Sequence, residues 1–156
     1  MDLTPLFESI QDTPAGLAIR HSRVLIALIE IVHLLGLTLL AGTILMVDLR
    51  LLGLGMRRHP VSQIAAELAP WTVTGLAIMF LTGPLLFVSE AVKCYEHPSF
   101  AVKMGFLLLA LITHFRIHQK VAIAEPSVGP VRAKLTAFLS LTAWTGVALS
   151  AKVLGA

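Results

Sequence analysis

The stretch VLIALIEIVHLLGLTLLAGTILMV, residues 24–47, decides the fold. At about 1.5 Å of rise per residue it is long enough, as a helix, to cross the roughly 30 Å of hydrocarbon in a bilayer. Glu30 and His33 are its only ionisable members. Three further apolar runs follow at about 68–89, 104–124 and 135–151. The expectation is an all-α fold, an integral membrane up-down bundle of four helices forming one domain over 1–156. The third run is uncharged only from Met104 to Phe115 and then meets Arg116, His118 and Lys120. It either tilts and snorkels or lets its last turns emerge among the headgroups.

Composition agrees with that reading. Of the 156 residues 56% are hydrophobic and 13% charged, with a mean hydropathy of +0.86, a balance outside the range of soluble domains. The first 19 residues contain no Lys or Arg, so a cleavable signal peptide is not expected and the first hydrophobic run is retained. A lone cysteine, Cys94, can form neither an internal disulfide nor a thiolate cluster. The net charge of +3 is scattered over segment ends and forms no basic stripe for nucleic acid. No Walker loop, nucleophile elbow, HExxH or GxGxxG is present, which argues against nucleotide or soluble hydrolase chemistry.

The links RRHPVS, AVKCYEHPSFAVK and EPSVGPVR are short, as antiparallel neighbours require. Four crossings put both termini on one side, with Arg20, Arg23, Lys93, Lys103 and Lys152. The other side carries Arg50, Arg57, Arg58, Arg116, Lys120, Arg132 and Lys134, and this seven-to-five excess marks it as cytoplasmic. In a bacterial inner membrane both termini then face the periplasm. Residues 3–12, LTPLFESIQD, are mildly amphipathic and are expected to lie along the outer surface as a short interfacial helix. Gly36, Gly42, Gly75, Gly83 and Thr72, Thr74 and Thr82 are small residues that let membrane helices approach. Pro84 is expected to bend the second helix and free a carbonyl.

Ionisable groups inside a membrane are costly and normally face partners. His33 lies about 13 Å below Val24, with Glu30 one turn closer to the outer surface. In THFRIH, His114 and His118 stand at i and i+4 on one face of the third helix. Counted from Met104, they lie about 15 Å and about 21 Å deep. His114 thus matches His33 in depth, and two imidazoles on neighbouring helices could ligate one haem iron from opposite faces. A second haem or a metal could use His21 and His97 near the outer surface, though ordinary interfacial histidines explain them as well. His59 has no visible partner. Alternatively Glu30, His33, His114 and His118 form a site for zinc, iron or copper(II).

The segments IEIVHLLGLTLLAGTILMVDLRLLGLG, 29–55, and LTGPLLFVSEAVKCYEHPSFAVKMGFLLLAL, 81–111, resemble a family of small bacterial four-helix membrane proteins of uncharacterised activity. That family is similar in layout to copper-resistance-D-like proteins and b-type transmembrane cytochromes. The resemblance rests on an E-x-x-H in the first helix, a D-L-R-L-L-G exit from it and an F-x-x-K entry to the third. It implies a histidine near the end of the third helix, His118, and leaves His114 as an extra, against the depth count. Both stay candidate ligands opposite His33. Asp48 and Arg50 are expected to form a local ion pair closing the first helix, with a quinone or haem-propionate contact by Arg50 as the alternative. Lys103 reaches a propionate or snorkels. The leading expectation is a haem b cytochrome that transfers electrons with quinone or a larger respiratory complex, and is not an enzyme in its own right. Copper or zinc handling, or a structural subunit of a membrane complex, are the rivals, and a homo-oligomer is compatible with each.

Overall fold

The computed structural model describes residues 3–55, 58–124 and 129–155. Arg57 and the first half of the EPSVGPVR link lie outside the described residues. The regular elements among the described residues are all helical, in the order α1 (Thr4–Gln11), α2 (Pro14–His21), α3 (Arg23–Leu51), α4 (Val61–Ser89), α5 (Ala91–Glu96), α6 (Pro98–Thr113), a π turn (His114–His118), α7 (Gln119–Ile123) and α8 (Pro130–Gly155).

Local chemistry sets the boundaries. Thr13 Oγ1 accepts from the Gly16 amide and Pro14 takes the first helical position, where its missing N–H costs nothing. Ser22 ends α2 and caps α3, accepting from the Leu25 amide at 3.2 Å. At the far end, the Leu54 amide reaches the Leu49 carbonyl and Gly53 reaches Arg50, a Schellman closure that needs the φ of +81° only glycine adopts freely. Pro98 opens α6, six residues before the expected start at Met104. The short helix expected at 3–12 is α1, and a second, α2, follows it at once. Part of the AVKCYEHPSFAVK link is itself helical, as α5.

The Arg23–Leu51 and Val61–Ser89 helices and the stretch Pro98–Ile123 are long and apolar enough to cross a membrane. The protein buries only 11%, 22% and 18% of their most apolar windows. Leu35, Leu81 and Leu108, for example, point outward. Such surface is stable only against another apolar phase, so contact with a lipid bilayer follows.

Helices α3 and α4 run antiparallel, with His33 beside Thr82, Gly36 beside Gly75 and Ile78, and Thr43 beside Thr72. A Cβ on Gly75 would stand 2.8 Å from the Leu40 amide nitrogen and 2.9 Å from the Gly36 carbonyl oxygen, so this crossing requires glycine. Gly42, expected to share that role, meets nothing within 4 Å. α4 continues through Pro70 and Pro84. α8 packs against α6, with Gly146 under the Phe106 ring, and against α3.

Two apolar clusters result. One joins α3, α4, α7 and α8 through Val47, Leu51, Val61, Ile64, Val121 and Ala137. The other, Ala110, Ala143 and Val147, belongs to α6 and α8 alone. At the opposite end α1 and α2 cover the α4–α5 corner, with Phe7 stacked on Tyr95 at 4.6 Å and Gln11 accepting from the Val92 amide.

Candidate functional site

The first cluster holds a polar centre. Asp48, with no exposed surface, accepts from His118 Nε2 on one oxygen and from Ser140 Oγ on the other, each at 2.8 Å. Three segments therefore converge on one carboxylate: α3, the π turn and α8. The sequence expectation that Asp48 pairs with Arg50 is corrected. Residues two apart on a helix point to nearly opposite sides. Arg50 instead donates from Nε to the His59 carbonyl at 3.0 Å, tying the end of α3 to the following loop.

His114 lies over His118, ring centroids 5.2 Å apart and planes at 25°. Both are buried. The π turn explains how both face inward together with Ala110 and Ala122, which are also buried. Positions four apart on an α-helix drift by about 40° at each step, so a run of such steps walks off its face. One wider turn takes back part of that drift, and π turns of this kind recur at functional sites.

His33 forms a second, separate centre. Its Nδ1 lies 2.7 Å from Thr82 Oγ1, and Thr82 Oγ1 lies 2.7 Å from the Ile78 carbonyl oxygen. The carbonyl can only accept, so the single hydroxyl proton of Thr82 goes there, and Thr82 must accept from His33 Nδ1–H. The neutral imidazole then carries an unprotonated Nε2. Lys103 of α6 is within electrostatic reach of His33 and of Cys94. Cys94 is buried in α5, and burial followed by the neighbouring Glu90 carboxylate pushes its thiol pKa up. Glu30 is exposed on α3, and the Nδ1 of His33 is engaged by Thr82 rather than by Glu30.

The structure does not bring His33 together with His118 or His114. His118 is bonded to Asp48, and the interval from residue 33 to residue 48 is about 22 Å of helix. The depth count misplaced His114 because α6 starts at Pro98, which puts His114 about 24 Å along its helix. His21 donates from Nδ1 to the Leu17 carbonyl of its own helix, and His97 stands at the N-cap position of α6 with a buried Nδ1 that has no partner among the described residues. Among the described residues no group of three or more His, Cys, Asp or Glu side chains is placed to hold a metal ion.

Ser140, Thr82, Thr43 and Thr72 are site residues that charge and metal-ligand patterns do not pick out. The available signal was the spacing of Thr136 and Ser140 at i and i+4 on a helix with no charge between Lys134 and Lys152. Thr72 Oγ1 lies 2.9 Å from Thr43 Oγ1, both buried close to the histidine pair.

No curated protein and no solved structure matches the chain. A family profile does match, from residue 17 to residue 156, and because that covers nearly the whole chain the protein belongs to DUF6644, a family of unknown function.

Proposed function

We propose that this chain is a four-helix protein of the bacterial inner membrane in which Asp48, His118 and His114 form a proton-exchanging centre near the cytoplasmic face. In this reading α8 is the fourth span, α1 and α2 lie along the periplasmic surface, and both termini are periplasmic. Arg50, Arg58, Arg116, Lys120, Arg132 and Lys134 then mark the cytoplasmic side by their excess. The single observation that carries the function is the Asp48 carboxylate, wholly buried and shared between an imidazole and a hydroxyl from other segments. A carboxylic acid and an imidazole that share a proton at 2.8 Å can take up or release one without a buried charge losing all its partners. A purely structural contact needs no second histidine stacked on the first.

Proteoliposomes with an internal pH dye test the proposal. Imposed pH gradients should decay faster with the wild-type protein than with empty vesicles, and Asp48→Asn should remove the difference. Equal decay with wild-type protein and empty vesicles would overturn it.

Electron transfer is the second reading, and the His33 geometry favours it. Metal-ligating histidines hold their other nitrogen on an oxygen partner, as Thr82 holds His33, and Lys103 supplies a nearby cation for an acidic cofactor group. A haem b ligated by His33 together with His118 or His114 does not fit this arrangement, because about 22 Å of helix separates the two centres. A copper-handling role of the copper-resistance-D type rests on the family resemblance alone. Dithionite reduction of the purified protein, made with ample haem, decides the second reading. A sharp low-spin α-band that vanishes in His33→Ala supports it, and a featureless spectrum ends it.

A further inference from the structure

Inside the bundle, beside the histidine pair, is a cavity of about 30 Å³. Thr43, Thr72, His114 and His118 line it, and Ala65 and Ala69 leave the space open by their small side chains. His114 is 6% exposed, and its Nδ1 is buried without a hydrogen-bond partner among the described residues. Leaving such an atom unpaired is costly, so a native structure normally supplies a partner.

The hydroxyls that line the cavity are already anchored. Thr43 donates to the Leu40 carbonyl at 3.0 Å, and Thr72 has Thr43 Oγ1 and the Leu68 carbonyl as alternatives for its one proton. Both oxygens keep lone pairs that can accept. A water needs roughly 10–15 Å³ of such space and two to four polar partners, and this cavity provides both. It is far too small for a porphyrin.

We infer that this cavity is a binding site for one water molecule, which bridges His114 Nδ1 and the Thr43–Thr72 hydroxyl pair. The inference rests on the proton-exchange reading for its purpose, though not for its existence. Water donates or accepts with equal ease, so His114 keeps a partner whether Nδ1 carries a proton or not. A threonine hydroxyl in direct contact, with its one proton committed, could serve only a protonated Nδ1. The water therefore lets the outer ring of the stacked pair change protonation state in place, which a dry cavity would oppose.

The test is an experimental structure in lipid at a resolution that shows ordered water, with water-to-imidazole NMR contacts on labelled histidine. One oxygen within hydrogen-bond reach of His114 Nδ1 and Thr72 Oγ1 is expected. A dry cavity, a metal ion in that place, or Nδ1 bonded directly to a protein atom would overturn the inference. Ala69→Val should fill the space and abolish the water contact while the His118–Asp48 bond persists. Thr72→Val, which keeps the shape and removes one anchor, should weaken the contact. A water contact that survives unchanged in both variants would place the water elsewhere. If Asp48→Asn leaves proton decay unaltered but the water is seen, the functional reading fails and the site stands; if decay depends on Asp48 and the cavity is dry, the reverse holds.

Discussion

The two histidine centres differ in what surrounds them. His118 sits in a cluster drawn from four helices, with a carboxylate and a hydroxyl converging from α3 and α8. His33 is half-buried between two helices and has one neutral partner, Thr82. The same side chain is thus equipped for different tasks. At the inner centre both ring protonation states find support from a carboxylate, whereas at the outer one a hydroxyl fixes a single tautomer and leaves Nε2 open.

Breaking the inner centre should have the largest effect. Asp48→Ala leaves His118 and Ser140 buried without their shared acceptor, and a loss of about 3–5 kcal/mol is expected for removing one member of such a pair. Thermal unfolding in detergent measures it. Asp48→Leu combined with His118→Leu should recover part of that loss, because neither polar group is then stranded. A double variant no more stable than Asp48→Ala would show that the pair matters through packing.

Next is the crossing of α3 and α4, which holds the outer centre. Gly75→Val places side-chain atoms against the backbone of Leu40 and Gly36, where nothing flexible can yield, and a cost of about 1–3 kcal/mol is expected. Gly42→Ala, facing open space, should be nearly silent. Equal effects of the two would contradict the described register.

A smaller change separates the centres by chemistry. Thr82→Val should cost about 1 kcal/mol and release the His33 tautomer, visible as a changed ¹⁵N pattern for that ring alone, while Thr82→Ser preserves it. The His118 signals should not move, since the two centres share no hydrogen bond.

The smallest expected effect lies outside the spans. Because burial and the Glu90 carboxylate raise the Cys94 pKa, thiolate is scarce at neutral pH and maleimide labelling should be slow, accelerating as pH rises. Glu90→Gln removes one of the raising influences, so labelling at a fixed neutral pH should quicken. Unchanged rates would assign the slowness to steric cover.

The long helices were legible because their apolar runs exceed what a soluble core helix needs, and the end of α3 was marked by Gly53. The start of α6 was also marked, by Pro98, but an apolar count starting at Met104 passes over it. That six-residue error shifted every depth on the third span and paired His114 with His33. Asp48 was misread for a different reason. Next to Arg50 in sequence it looks like half of a local pair, and only the path of the third and fourth helices shows that its carboxylate faces inward. The threonines and Ser140 carry no charge, so nothing in composition separates them from residues that merely hydrogen-bond their own helix, as Thr38 and Thr74 do.

The π turn makes residue count, as well as residue identity, part of the site. Deleting Phe115 would let this stretch wind as ordinary α-helix while α7 keeps about its present orientation, because a π turn takes up one residue more than an α turn needs. The same deletion in the α-helical part of α6 would instead turn everything beyond it by about 100° and carry His118 away from Asp48, although every residue that touches the carboxylate was still present. Insertions and deletions in the regular helix before the π turn act as frameshifts of the helix face, whereas the same change in the loop after Gly53 alters only the length of a link.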